Sequence, residues 1–497
     1  MTLVAPELAL PRARASLVQR LDAVAAHIVD DAATIDAHRE RGAGVLLDLL
    51  ARTVREREDV RLVWLLLAAV LSGFPDEETV TWVRRRLWIE PAVEALGVFL
   101  QAGMRDPIGL GDPSAEIEVV DAPVVDVNFC ARYAHNTGIQ RVVRETVSRW
   151  VRDQPDIVLV AWNDAGTAMR RLSELETGRV ISWNAQSEDA DDTVPSRIVI
   201  PFGTDVVLPE VPQAFQSAAL TALAAFSGNE VAMIGYDMIP VVSPNTVAEL
   251  EIEKFSHYLG IVKRASTVVA ISETAAREFG GFASALAAQG LPGPRTSAVS
   301  LPIDVPTADE EETPLSSRPL VLCVGSQEPR KNHEAILFAA EMLWREGLDF
   351  SLEFIGGGSA DNIRRFDRQV RELRGRGRPI LVRRGVGDAE LLSAYAAARF
   401  TVFPSIHEGY GLPVAESIAT GTPAITSDYG STGEIGADGG CLLINPRDDG
   451  ELVSAMRRLL VDDELLRELR AQIRARPRRT WDDYAAEVWA ALVEEPA

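Results

Sequence analysis

The chain has 497 residues, 47% of them hydrophobic and 25% charged, which is enough for roughly two to four globular domains with cores of their own. Its formal charge of −23 excludes a continuous nucleic-acid footprint and strong attraction to anionic lipid. Only three of its 50 basic side chains are lysines, Lys254, Lys263 and Lys331, so a lysine placed in a loop carries weight.

Cys130, Cys323 and Cys441 are far apart and form neither a metal-binding spacing nor a disulfide framework. Cys323 and Cys441 lie in apolar runs and read as core residues, in keeping with a reducing cytoplasm. Met1 to Leu10 lacks a basic segment followed by an apolar run, so no signal peptide is expected. The most apolar stretch, Leu62 to Leu71, is about half the length that spans a bilayer. The expected location is cytoplasmic, with a peripheral place at the inner membrane face as the alternative.

Residues 1 to 113 read as all-helical. Ser16–Val29 and Val45–Val54 carry apolar residues at steps of three and four, and Leu62–Leu71 is apolar all round, as a central helix would be. Gly73-Phe74-Pro75-Asp76 is a turn before a helix starting at Glu78, and 103–113 reads as a linker. No catalytic constellation occurs here, so a structural or assembly module is expected, with self-association through these helices as one use.

From about residue 117 strands and helices alternate. Strands are expected at Val124–Phe129, Ile157–Ala161, Arg197–Pro201, Glu230–Ile234, Thr267–Ile271 and Ser297–Leu301, with helices at Gly138–Val151 and Pro212–Ala225. This alternation predicts a parallel sheet covered on both faces. The acidic, Pro/Ser-rich stretch 304–319 reads as a solvated linker. A second unit follows, with strands at Leu320–Val324, Ser351–Ile355, Ile380–Val382, Phe400–Phe403, Pro423–Thr426 and Cys441–Ile444. Its helices are expected at His333–Glu346, Asn362–Leu373, Asp388–Ala398 and Asp449–Leu460. Two doubly wound domains in tandem imply a cleft at the carboxyl ends of their strands. A last helix, Thr480–Leu492, carries Trp481, Tyr484 and Trp489 and is expected to dock on the rest of the chain.

Four places carry candidate chemistry. Tyr133-Ala134-His135-Asn136-Thr137-Gly138 is a small loop before a helix N-terminus, able to cradle a phosphate or to be a plain turn. Asp237 ends an apolar strand, as an acceptor or proton-handling group or as a cap. Arg330 and Lys331 follow a strand and a turn, placed to grip a phosphate. The richest stretch is Ser405-Ile406-His407-Glu408-Gly409-Tyr410-Gly411-Leu412-Pro413-Val414-Ala415-Glu416. It joins a buried strand to a helix, with Pro413 in the first turn and free N–H groups that favour an anion. Two carboxylates, Glu408 and Glu416, flank that anion site, an arrangement suited to a nucleotide sugar. Asp189, Asp191 and Asp192 lie in a polar loop without ligand context, and no metal or other cofactor is expected.

These residues resemble the family-4 retaining nucleotide-sugar glycosyltransferases, glycosyl transferases group 1, over about residues 124–490. The resemblance rests on Glu408-Gly409-Tyr410-Gly411-Leu412-Pro413 with Glu416, and on Glu328-Pro329-Arg330-Lys331-Asn332. Gly138-Ile139-Gln140-Arg141, Tyr236-Asp237-Met238-Ile239-Pro240 and Asp388-Ala389-Glu390-Leu391 support it. It implies an α/β chain of GT-B architecture, two doubly wound Rossmann-like domains facing a cleft; the extra N-terminal all-α region lies outside the resemblance. The helical region would be 1–113, the acceptor-side domain 114–303 and the donor-binding domain 304–479, with 480–497 packing back on the first domain.

By the same resemblance Glu416 would bind the donor ribose, and Glu408 with Gly409, Tyr410, Gly411 and Leu412 would hold the sugar and distal phosphate. Lys331 would meet the diphosphate, the backbone of Val386 the base, and Gly138 the diphosphate from the first domain. Ser326 stands where many members have an arginine whose charge Arg330 would supply. Tyr236 stands where many have a histidine. Glu408, Arg330, Lys331 and Asp237 would carry catalysis without a metal. The partners implied are a nucleoside diphosphate sugar and a glycan, lipid-linked or other acceptor. The Glu328–Asn332 variant resembles that of bacterial surface-polysaccharide mannosyl- and rhamnosyltransferases. A non-catalytic partner subunit and a sugar-nucleotide epimerase are the alternatives on the same fold.

Overall fold

Leu62 to Leu71 is apolar on every side, so the helix that contains it has to lie inside a bundle. In the computed structural model, which describes residues 6–105, 110–134, 138–183, 191–303 and 318–494, it does. Helices Pro6–Ile28, Ala32–Glu40, Ala43–Arg57, Glu77–Ile89 and Ala95–Arg105 surround Val60–Leu71, whose Trp64 to Ala69 are fully buried. The predicted linker begins later than expected, because the last of these helices continues to Arg105.

This bundle is continuous with the first sheet domain. The amide of Gln19 donates to the Ile117 carbonyl at 2.8 Å and accepts from the Ile117 N–H at 3.0 Å, as a neighbouring strand would. A sheet edge that would otherwise expose its backbone is covered. Buried Arg20 donates to the carbonyls of Ala69, Pro113 and Ala115, each at 2.8 Å. One apolar core runs from the bundle into the sheet.

The first sheet has nine strands: β1 (Ile117–Val120), β2 (Val124–Asp126), β3 (Val158–Trp162), β4 (Met169–Arg171), β5 (Ile198–Pro201), β6 (Asp205–Leu208), β7 (Glu230–Gly235), β8 (Thr267–Ala270) and β9 (Arg295–Ala298). Their order is β1-β5-β4-β3-β2-β6-β7-β8-β9. The doubly wound expectation holds with one correction: β4 is antiparallel to both neighbours. Strands β1, β4 and β6 are not among those expected from the apolar pattern. In β4, moreover, Arg170 is buried only by its ion pair with Glu176 at 2.7 Å. The strand expected over 124–129 stops at Asp126. There the Glu210 carboxylate accepts from the N–H groups of Phe129 at 2.6 Å and Cys130 at 2.7 Å, capping a short helix, Asn128–Arg132.

The second sheet comprises β10 (Leu320–Val324), β11 (Ser351–Ile355), β12 (Ile380–Arg383), β13 (Phe400–Phe403), β14 (Ala424–Ser427) and β15 (Cys441–Ile444), all parallel. The order β12-β11-β10-β13-β14-β15 is that of a dinucleotide-binding fold, and it reverses between β10 and β13. Two helices the periodicity does not predict, Gly430–Ala437 and Asp463–Arg474, complete this domain. The C-terminal helix Trp481–Trp489 then crosses to the first domain. The Trp150 indole donates to the Ala485 carbonyl at 2.9 Å, and the rings of Trp150 and Trp489 lie 5.2 Å apart.

Candidate active site

The loops that leave β10 and β13 emerge side by side at the reversal point of the second sheet, where such folds bind their ligands. The loop after β13 feeds the helix Leu412–Ala419, which has proline in its first turn and begins at Gly411 with φ of 107°. That φ is open to glycine, and a Cβ at 411 would also lie 2.6 Å from Thr432 Cγ2. The helix N-terminus therefore opens beside Glu408, on a tight, glycine-dependent turn.

The two loops are joined by charge. Glu408 accepts from Lys331 Nζ at 2.5 Å and from Arg330 Nη1 at 2.6 Å. Arg330 also reaches Glu328 through Nε at 2.9 Å and the His407 carbonyl through Nη1 at 3.2 Å. Ser326 Oγ donates to Glu328. Burial pushes the Glu408 carboxyl up, but Lys331 and Arg330 outweigh it and hold it at about 2. Glu408 is thus an ionised acceptor across the working pH range of a cell. Its partners keep donors in reserve: two further Lys331 protons and, among the described residues, an Arg330 Nη2 without a partner.

Glu416 lies one turn further on. The Tyr395 hydroxyl donates to Oε2 at 2.9 Å, and Arg141 Nη1 of the first domain lies 3.4 Å from Oε1. Burial raises its pKa, against the pull of the Tyr395 bond and the Arg141 charge. Val386 is half-buried in the loop between β12 and the helix Asp388–Ala397, which carries Tyr395.

The first domain closes over this cluster. A Cβ added at Gly409 would overlap the Tyr236 carbonyl oxygen and lie 3.0 Å from the Asp237 Cβ. The Ser272 hydroxyl donates to the Gly409 carbonyl at 2.7 Å, and the Tyr410 hydroxyl to the Leu301 carbonyl at 2.7 Å. Gly138 opens its helix directly against the second domain, where a Cβ would sit 2.5 Å from Leu412 Cδ1. Asp237 follows β7, and its Oδ1 accepts from the Ile239 N–H at 3.0 Å, so it does cap a turn. It also feels the charges of Arg330 and His407 across the cleft, while burial keeps its pKa raised.

Tyr236 does not replace a cleft histidine. Its side chain is buried in the first domain, with its hydroxyl on the Pro209 carbonyl at 2.6 Å. An imidazole of the second domain, His407, also meets the first domain. His407 Nδ1 lies 2.8 Å from Ser243 Oγ, and Nε2 lies 2.8 Å from Glu278 Oε1. Sequence reasoning did not single out His407, Ser243, Glu278, Arg141 or Tyr395. His407 and Arg141 stand inside quoted motifs, and a polar side chain beside a motif residue was the available signal. Nothing local marks Ser243, Glu278 or Tyr395. His135 and Asp189 lie outside the described residues. Asp191 accepts from the backbone and hydroxyl of Thr193 in a local turn.

Residues 304–476 match the model of the family described as glycosyl transferases group 1. The serotype-specific mannosyltransferase WbdA of Escherichia coli is 25% identical over 323 residues, covering 61% of this chain and 38% of that protein. The O-antigen chain mannosyltransferase B of Escherichia coli is 32% identical over 176 residues, 34% of this chain and 42% of that protein. The chain thus spans less than half the length of each of these relatives. In fold, sucrose-phosphate synthase from Thermosynechococcus elongatus aligns over 74% of this chain and 97% of its own, with a TM-score of 0.51 at 17% identity. The second sheet domain thus matches glycosyl transferases group 1, and the whole chain shares the two-domain GT-B architecture.

Proposed function

We propose that the protein is a retaining, metal-independent glycosyltransferase. It would move mannose from a nucleoside diphosphate sugar to a glycan or lipid-linked acceptor in the making of a surface polysaccharide. The observation that carries this reading is the Lys331–Glu408–Arg330 cluster at the mouth of the Leu412–Ala419 helix, with Glu416 one turn away. A diphosphate there meets two cations and a helix N-terminus, and its flanking hydroxyls meet two carboxylates. The choice of mannose rests on the names of the relatives, WbdA and mannosyltransferase B.

The acceptor hydroxyl attacks the anomeric carbon from the face the diphosphate leaves, so the C–O bond forms as the bond to the phosphate oxygen breaks. The hydroxyl proton passes to the departing phosphate. Arg330 and Lys331 stabilise the charge that develops on the leaving group, a role that asks nothing of a bound metal. Glu408, ionised and anchored by both cations, accepts from the sugar hydroxyls. Contacts of Gly409 and Leu412 with the first domain shut out water, which favours transfer over hydrolysis. The intact pairing of carboxylates with cations is also what distinguishes this reading from a non-catalytic partner.

NMR of the product from a panel of nucleoside diphosphate sugars, run with and without a chelator, tests the proposal. A mannose-bearing donor is expected to be consumed with its anomeric configuration retained, at a rate the chelator leaves unchanged. An inverted product, or a rate abolished by the chelator, contradicts it.

A further inference from the structure

Among the described residues the N-terminal bundle supplies no side chain to the Glu408–Lys331–Arg330 cluster, yet one of its faces is apolar and open. Trp88, Ile89, Val93 and Met104 are 70%, 74%, 65% and 73% exposed, and Leu100 is 48% exposed. The other strongly exposed apolar side chains among the described residues, such as Val461 at 60% and Leu250 at 58%, lie outside this cluster. All five belong to one hairpin, in which the helix Glu77–Ile89 turns through Ala92–Glu94 into the helix Ala95–Arg105. The inner face of the hairpin, with Val80, Val83, Leu87, Val98 and Phe99, is buried in the bundle, so the outer residues are no part of that core. An apolar cluster of this kind on a soluble surface marks an interaction site.

The outer stripe has a pattern. Val93, Gly97, Leu100 and Met104 follow at steps of four, three and four, the spacing of a two-helix seam. Gly97 leaves a gap in it, since a Cβ there would meet only Glu94 Oε2, at 3.8 Å, so a second backbone can come close. The charges around the stripe are self-complementary. Arg86 is paired with Glu90 at 2.5 Å, and Arg105 lies over the Trp82 ring at 4.6 Å. Exposed Arg84, Arg85 and Glu94 have no ion-pair partner among the described residues. In a two-fold pairing each Glu94 can meet the arginines of the other copy. An anionic bilayer would instead repel Glu94 at the tip, beside Trp88 and Ile89.

We propose that this hairpin is a self-association surface, through which two copies of the chain pair about a two-fold axis along the Val93–Gly97–Leu100–Met104 stripe. The pairing is independent of the sugar-transfer reading and would stand if that reading fell.

Sedimentation velocity of the full chain over a wide concentration range tests it, with melting temperature as the control for folding. The wild type is expected to form a dimer, and Leu100→Glu with Met104→Glu to be monomeric with an unchanged melting temperature. Glu94→Arg alone, and Arg84→Glu with Arg85→Glu, should each weaken the dimer by about tenfold. Mixing those two charge-reversed variants should restore association. A wild type that stays monomeric throughout, or a Leu100→Glu, Met104→Glu variant as dimeric as the wild type, overturns the proposal. So does a monomeric wild type that pellets with anionic vesicles, which would assign the face to lipid.

Discussion

Replacing Lys331 by alanine is expected to lower kcat for sugar transfer by about 10²- to 10³-fold, the usual cost of losing one donor aimed at developing charge. Lys331 serves two anions. It holds Glu408 at 2.5 Å, and in the proposed reaction its remaining protons meet the leaving diphosphate. Its loss also removes one of the two charges that keep the Glu408 carboxyl at about 2, so that pKa rises toward the ordinary carboxylate range. The sign follows. A carboxylate that must stay ionised is now protonated at higher pH, so the acidic limb of the variant's pH–rate profile moves up. Steady-state rates across pH check both effects. A Lys331→Ala enzyme with an unchanged rate and an unchanged acidic limb would show that the lysine does neither job.

Gly409→Ala is expected to cost about 10²-fold in kcat/KM while nucleotide affinity stays close to that of the wild type. The added Cβ would overlap the Tyr236 carbonyl, so the first domain has to draw back from the Glu408 loop. A displacement of about 1 Å between reacting groups is enough for a loss of this size. The proposed ligands of the nucleotide, Glu416 and Lys331, belong to the second domain and would move with it. Kinetics and calorimetry on the same preparation separate the two effects. A variant impaired equally in nucleotide binding would place the damage in the second domain alone. Unimpaired turnover would mean that the contact between Gly409 and Tyr236 does not govern transfer.

The second sheet was legible in the sequence because its strands are mainly apolar runs of four or five residues, broken by few polar side chains such as Glu353 and Thr401 and bounded by glycine, proline and polar turns. Phe400–Phe403 and the Gly-Pro punctuation of residues 409–413 locate the loop and helix within a residue or two. The first sheet was less legible. Strand β4 contains two arginines, one of them buried only because Glu176 neutralises it, and such a strand has no apolar signature. Chemical types were readable, but pairings were not. Arg330 and Lys331 stand out as adjacent cations, yet the chain does not say that both rest on Glu408, 78 and 77 residues away. Likewise Arg141 meets Glu416 across 275 residues, and only packing of the first domain against the second brings them together. His407 is the sharpest case. Nothing in the sequence pairs it with Ser243 and Glu278, which the fold sets on its two ring nitrogens.

The central claim is that the second domain holds a nucleoside diphosphate between Lys331 and Glu416. Calorimetric titration of the wild-type chain and of Glu416→Ala with a set of nucleoside diphosphates tests it most directly. At least one of them is expected to bind the wild type, and the substitution to weaken that binding by about tenfold or more, the loss of a hydrogen-bonded charged partner. A wild type that binds no nucleoside diphosphate, or an affinity unchanged without Glu416, would contradict a donor site between Lys331 and Glu416.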